Sequence, residues 1–289
     1  MLENAQIREV LNSDIRTPIP PALITKISSL PPFIPIQGAS NFRDLSHDGN
    51  KLRPGFVYRS GSLSDIYGSG KSIIATQLGI TTIFDLRNEG ERQKAPPPSI
   101  PGVETIWCPY GAPPATLNLR DFAGEDRGAT GFVTMYSGIL QAAAPCFTKI
   151  FKHIRDNPED PFIVHCSAGK DRTGVLAALI LLLINRPHAD IINDYILTRV
   201  TLESARENLM EAFMVNLGPD VNLGPSGVDF SQLSPEAVGM LELCGVRPTS
   251  MAAFLMSFEN SFKNGVEGYL IDRLGFSKSD VLTMRKNLT

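Results

Sequence analysis

Short apolar runs, broken by glycine, proline and asparagine, alternate with longer segments of helical spacing along the chain. Residues 36–45, 56–59, 81–86, 103–108 and 162–164 are rich in Ile, Val, Phe and Tyr and read as strands. Between them, 69–78 reads as a helix with Gly79 at its C-cap. Residues 132–156 place Phe132, Met135, Tyr136, Ile139 and Leu140, then Phe147, Ile150, Phe151 and Ile154, at helical intervals, with Pro145 kinking or splitting the run. Residues 175–184 are apolar on every side and read as a buried helix stopped before Pro187. Beyond it, 189–214 reads as one or two helices and 248–262 and 265–274 as amphipathic ones. Ser277 and Asp280 form a capping box that opens the last. Strands alternating with helices predict an α/β fold whose ligand sits at the C-terminal ends of the strands.

The remaining stretches lack a period. Residues 2–12 read as a short helix, and the proline-rich 17–35 as an extended arm laid over the domain rather than a core element. Asp48-Gly49-Asn50 signals a turn. Residues 109–130 and 216–234, rich in Gly and Pro, read as long loops, the first as a lid or a plain surface loop.

Composition narrows the function classes. A net charge of −3 over 289 residues argues against general nucleic-acid binding. Four cysteines with no CxxC or Cys/His spacing make neither a disulfide framework nor a metal site, so a reducing, cytoplasmic setting is expected. The longest apolar run is too short for stable membrane insertion, and no signal peptide is visible. Gly70-Lys71-Ser72 ends like a nucleotide-binding loop, but Asp65 stands where its first glycine belongs. Among the histidines, His47, His153 and His188 have no ligand-like partners and read as surface or capping residues.

The densest chemistry lies between the strand at 162–164 and the apolar helix: His165-Cys166-Ser167-Ala168-Gly169-Lys170-Asp171-Arg172-Thr173-Gly174. A cysteine, five residues and an arginine on a loop entering a helix suit a tetrahedral oxyanion. The helix N-terminus presents free amides and partial positive charge. Ala168 and Gly169 let the backbone approach, and Arg172 can grip two oxygens. The same field favours the thiolate at Cys166, the form that attacks, and Thr173 offers a hydroxyl to stabilise it as a leaving group.

This loop resembles the signature of the cysteine-dependent protein tyrosine phosphatases. Lys170-Asp171 within it, together with Asn41-Phe42-Arg43-Asp44-Leu45, Arg53-Pro54-Gly55, Tyr58-Arg59-Ser60 and Asp85-Leu86-Arg87, resembles their atypical bacterial and fungal tyrosine and lipid phosphatase subfamily. The resemblance implies a central mixed, largely parallel sheet flanked by helices, with a helical lid or insertion. It divides the chain into an arm, 1–35, and one phosphatase domain, 36–289, with the insertion at about 109–131 and a helical C-terminal part at about 189–289. It implies a phosphocysteine intermediate and no cofactor or metal. Substrates would be phosphotyrosine proteins or peptides, with phosphoserine, phosphothreonine and phosphoinositides as further classes. Cys166 and Arg172 carry over as nucleophile and anion clamp. Ser167, Ala168, Gly169, Lys170 and Thr173 carry over as binding residues, Lys170 adding charge at the pocket mouth. His165, Asp85 and Arg59 carry over as supporting residues, His165 orienting the loop and Asp85, with Arg87, bracing it. Asp171 carries over as general acid. Asp121, Asp126 and Asp85 remain alternatives, and Asp171 could instead pair with Arg172 or Arg59. A rhodanese-type sulfurtransferase and a non-catalytic phosphate-binding module are the rival functions.

Overall fold

The computed structural model describes residues 5–46, 51–110, 117–206, 223–224, 227–228 and 233–289. Five strands, β1 (Arg43–Asp44), β2 (Val57–Ser60), β3 (Thr82–Asp85), β4 (Glu104–Trp107) and β5 (Phe162–His165), form one sheet in the order β1-β2-β5-β3-β4. Within this sheet only β1 runs antiparallel to its neighbour. The last strand in the chain therefore sits in the middle, with Ser60 and Asp85 flanking His165 in register. Its loop emerges between the C-terminal ends of two parallel neighbours, where ligands bind in such sheets.

Alternation along the strands divides the sheet between two cores. Phe84, Phe162 and Val164 face the larger one, built on the helices α5 (Ala129–Ala142), α6 (Ala144–Asp156) and α7 (Arg172–Leu183). Tyr58, Ile83 and Ile163 face a smaller one with Ile36, Phe42 and Ile74. Ten of the twelve residues of α7 are buried, all but Arg172 and Leu182, as its continuous apolar run requires. Pro145 falls in the first turn of α6, where a missing N–H costs nothing, so the 132–156 run divides there.

Two helices precede the sheet, α1 (Ala5–Leu11) and α2 (Pro21–Ser28). Here the fold departs from the extended arm: Pro21 starts α2, and Ile7, Leu11, Ile27 and Phe33 belong to the larger core. Proline tolerated at a helix start, not an extended backbone, explains this spacing. Residues 69–78 form α3 (Ser69–Ser72) running into a π-helical turn (Ile73–Gln77), and a six-residue helix, α4 (Glu89–Lys94), follows β3. Of the strand expected over 36–45, only β1 and a bridge from Phe33 to Arg43 pair.

After α7 come α8 (His188–Ile196) and α9 (198–206), then α10 (Pro235–Cys244), α11 (Pro248–Ser261), α12 (Gly265–Gly268), which runs into a π-helical turn (Tyr269–Arg273), and α13 (Lys278–Leu288). Helix α10 was not anticipated, although Ser234 accepts from the amide of Ala237 as its cap and Pro235 opens it. The expected capping box at Ser277 and Asp280 is formed. The turn at 48–50 lies outside the described residues, as do 111–116 of the first expected loop and most of the second. His153, expected at the surface, is buried edge-on against Phe84 and Phe162.

Candidate active site

Loop 166–171 leaves β5 and enters α7 at Arg172. Its carbonyls are drawn to the rear. Asn41 Nδ2 donates to the carbonyls of Ala168 (3.0 Å) and Gly169 (3.1 Å), Arg59 Nη2 donates to Gly169 (2.7 Å), and the amide of Ser62 donates to Ser167 (2.8 Å). In a trans peptide the N–H points opposite to the carbonyl, so the amides of Ala168, Gly169 and Lys170 face forward. None of the amides from Ser167 to Asp171 donates a hydrogen bond among the described residues. Gly169 has a φ of +66°, and a Cβ there would collide with the Ser60 backbone. The result is a nest of unspent donors shaped for an anion.

The braces form a buried charged layer. Asp194 on α8 bonds Arg43 Nε (2.9 Å) and pairs with Arg59 Nη1. Both guanidiniums are almost fully buried, so two cations share one carboxylate behind the loop. Burial and the neighbouring Arg59 bring Arg43 down to about 10, which leaves it charged at neutral pH. The Asn41–Arg43 and Tyr58–Ser60 motifs and the Asp194-Tyr195 segment thus converge on one place. Arg59 braces the loop through the Gly169 carbonyl and is itself held by Asp194, and it does not pair with Asp171 as one expectation had it.

Arg172 meets a partner that the sequence reading missed. Glu91 in α4 accepts from Arg172 Nη1 (2.6 Å) and Nη2 (2.5 Å), and Nη1 also reaches the carbonyl of Leu86 (3.1 Å). Glu91 accepts too from Ser167 Oγ (2.5 Å) and from the Asn88 amide (2.7 Å). Burial pushes the Glu91 carboxyl up, but the bonds from Arg172 and Ser167 outweigh it and hold it down at about 2. Three of the five guanidinium N–H groups are spent. The side-on pair, Nε and the second N–H of Nη2, has no partner among the described residues and can meet two oxygens of one anion. The signal was in the sequence: Asn88 and Glu91 are a capping box that starts α4 and fixes Glu91 in place.

Asp171 and Arg172 line a cavity of about 260 Å³ whose other walls include Tyr110, Leu117, Phe122, Met135 and Ile139. Asp121 lines it as well. Asp126 instead accepts from the Gly128 and Thr130 amides and caps the start of α5. Asp85 is sealed between Arg87 and Arg92. Asp171 pairs with neither Arg172 nor Arg59; its Oδ1 accepts from Tyr136 Oη at 2.8 Å. Lys170 departs from its expected place at the pocket mouth. It is buried, and Nζ donates to the carbonyls of Leu243 (2.5 Å) and Gly245 (2.9 Å) at the end of α10 while lying 3.6 Å from Asp171 Oδ1, so its charge serves a helix C-terminus and the neighbouring carboxylate.

Cys166 is buried at the start of the loop and does not itself line this cavity. His165 beside it is fully buried, with Nε2 3.5 Å from Asp85 Oδ1 and Nδ1 3.4 Å from the Cys166 carbonyl. Burial overrides the pull of Asp85 and lowers His165 to about 4, so the ring is neutral and is not a ready proton acceptor. Thr173 Oγ1 is buried with no hydrogen-bond partner among the described residues.

A model of the tyrosine phosphatase family matches residues 34–289. The triple specificity protein phosphatase PtpB of Mycobacterium tuberculosis is 28% identical over 276 residues, 86% of this chain and 96% of that protein. A tyrosine-protein phosphatase of Nostoc commune is 39% identical over 64 residues, 22% of each chain. The core catalytic domain of the PP-IP phosphatase SIW14 from S. cerevisiae is 16% identical with a TM-score of 0.33, covering 63% of this chain and 96% of that one. A match spanning the sheet, the loop and every helix from α3 onward establishes the relationship: the chain belongs to the tyrosine phosphatase family.

Proposed function

We propose that this phosphatase hydrolyses phosphate monoesters in two steps at the 166–172 loop. Cys166 attacks phosphorus in line, the S–P bond forms, and the P–O bond to the leaving group breaks. The loop amides and the open edge of Arg172 hold the equatorial oxygens, where transition-state charge sits. Asp171 gives its proton to the departing oxygen. It then takes one from the water that cleaves the phosphocysteine, so that the S–P bond breaks, phosphate is released and the Cys166 thiolate is restored. Thr173 Oγ1, buried and without a partner among the described residues, can donate to the departing sulfur. Asp121 is the other carboxylate on the cavity wall, and it lies outside the loop.

The observation that carries this reading is the set of loop amides left without acceptors while every brace pulls from behind. Phosphotyrosine proteins and peptides are the proposed substrates: the cavity beside Asp171 and Arg172 is lined by aromatic and aliphatic side chains that suit a phenyl ring. Phosphoserine, phosphothreonine and phosphoinositides are proposed as further classes; the mycobacterial relative is named a triple specificity protein phosphatase. Residues 36–289 are proposed to act as one catalytic domain, with a lid or insertion at about 109–131; Tyr110, Leu117, Asp121 and Phe122 of that segment line the cavity. We place it in the cytoplasm; no helix among the described residues is long and apolar enough to cross a membrane.

The test is hydrolysis of phosphotyrosine, phosphoserine and phosphoinositide substrates with chelator and reductant present, by wild type and Cys166→Ser. Turnover that survives chelator and is lost in the variant supports the thiolate mechanism. An inactive wild type that still binds phosphate would leave a binding module in its place.

A further inference from the structure

Asp171 stands at the N-cap of α7, yet its side chain makes no capping bond to that helix. An aspartate there ordinarily turns back to the helix amides. Here it is held from outside. Tyr136 on α5 is fully buried, with its ring edge-on to Phe254 at 5.4 Å and tilted against Phe132 at 5.4 Å, so its hydroxyl has a fixed place. Tyr195 Oη on α8 lies 2.9 Å from Tyr136 Oη. A phenol has one proton to donate. Tyr136 gives its proton to Asp171 Oδ1, so Tyr195 must donate to Tyr136, and the chain runs one way: Tyr195 to Tyr136 to Asp171 Oδ1. Burial raises the ionisation of both phenols far above its ordinary range, so neither hydroxyl loses its proton at working pH. The Lys170 ammonium, 3.6 Å from the same oxygen, adds to the preference for negative charge there. Oδ2 accepts no hydrogen bond among the described residues, and Asp171 lines the cavity.

We propose that Tyr136, held by Tyr195, is a positioning residue that assigns the acid proton of Asp171 to Oδ2, on the side of the leaving group. The proposal rests on the reading of Asp171 as general acid. A carboxylic acid carries its proton on one oxygen, and the oxygen already receiving Tyr136 and facing Lys170 is the poorer place for it. The same contact holds Oδ2 for the water of the second step. Helix α5 then has two tasks: it walls the cavity with Met135 and Ile139, and it aims the acid into it.

The experiment is a double-mutant cycle of Tyr136→Phe and Asp171→Asn, read as kcat/KM on phenyl phosphate, a poor leaving group, and on nitrophenyl phosphate, a good one. Tyr136→Phe is expected to lower kcat/KM on phenyl phosphate by roughly 5- to 10-fold and to act much less on the nitrophenyl ester, where departure needs little protonation. Added to Asp171→Asn, it is expected to cost nothing further, because both act through one group. Tyr195→Phe, which leaves the Tyr136 contact in place, is expected to show the same leaving-group bias to a smaller degree. It carries the test if Tyr136→Phe does not fold. Losses that add in the double variant, or that fall equally on both esters, overturn the proposal and leave Tyr136 a packing residue. If Asp171→Asn itself shows no leaving-group bias, the acid assignment fails and the proposal falls with it. The behaviour of Asp171→Asn alone tells the two failures apart.

Discussion

Replacing Glu91 with glutamine isolates what the carboxylate does for Arg172. The side chain keeps its length, and its remaining oxygen can still serve the capping box. It loses its charge, and one of two acceptor oxygens becomes a donor facing a guanidinium that has only donors. Arg172 would keep the Leu86 carbonyl and one bond of the present pair. A hydrogen bond between charged partners is worth ~1.5–3 kcal/mol when desolvated. The Arg172 and Glu91 side chains are 16% and 27% exposed, so solvent screening reduces the loss to ~1–2 kcal/mol. If alignment of Arg172 is what that energy maintains, it appears in transition-state binding as a roughly 5- to 30-fold fall in kcat/KM. The assay is kcat/KM on an aryl phosphate under reducing conditions, with the inhibition constant of inorganic phosphate as a second reading of the anion grip. The thermal unfolding midpoint should fall by only a few degrees, because the loss is ~1–2 kcal/mol and the cap survives. A variant within about twofold of wild type in both readings would show that the loop aligns Arg172 without Glu91, and the argument from the clamp would be wrong.

Three further outcomes follow from the braces. Asp194→Ala leaves Arg43 and Arg59 buried together without their carboxylate and should cost ~3–5 kcal/mol in chemical denaturation; a loss below ~1 kcal/mol would mean water or another carboxylate replaces it. Gly169→Ala forces a Cβ into the Ser60 backbone at a φ of +66°, so activity should fall at least ~100-fold even in protein that remains folded. Wild-type activity in that variant would mean the loop can shift at no cost. His165, lowered from 6.5 to about 4, binds its proton more readily when unfolded. Its contribution to stability is therefore complete above pH 6.5 and is lost as pH falls through 6.5 towards 4, at up to ~1.4 kcal/mol per pH unit. His165→Gln should flatten the denaturation midpoint across that window, and an unchanged slope would assign the titration elsewhere.

Local information settled much of this chain. Periodicity found four of the five strands of the sheet nearly whole and, of the run at 36–45, only its end; it also found the divided helix at Pro145 and the buried α7, because the two-residue and 3.6-residue patterns report which face must leave water. The 166–172 spacing identified the loop, because a cysteine, small residues and an arginine at a helix start are chemistry written in consecutive positions. The capping boxes at Asn88 and Ser277 were written locally too, though only the second was read. What the sequence could not decide was partnership across distance. That Asp194 would serve Arg43 and Arg59 follows only once α8 packs behind β2. That Lys170 would turn away to the carbonyls of α10, and Asp171 find Tyr136, depends on helices more than thirty residues away in either direction. The N-terminal prolines looked extended because proline reads the same at a helix start as in an arm, and only the core into which Ile7, Leu11 and Ile27 fit could choose between them. Backbone pattern is set by neighbours a few residues apart. The pairing of charges and hydroxyls is set by which surfaces the sheet brings together, and that is a property of the folded chain alone.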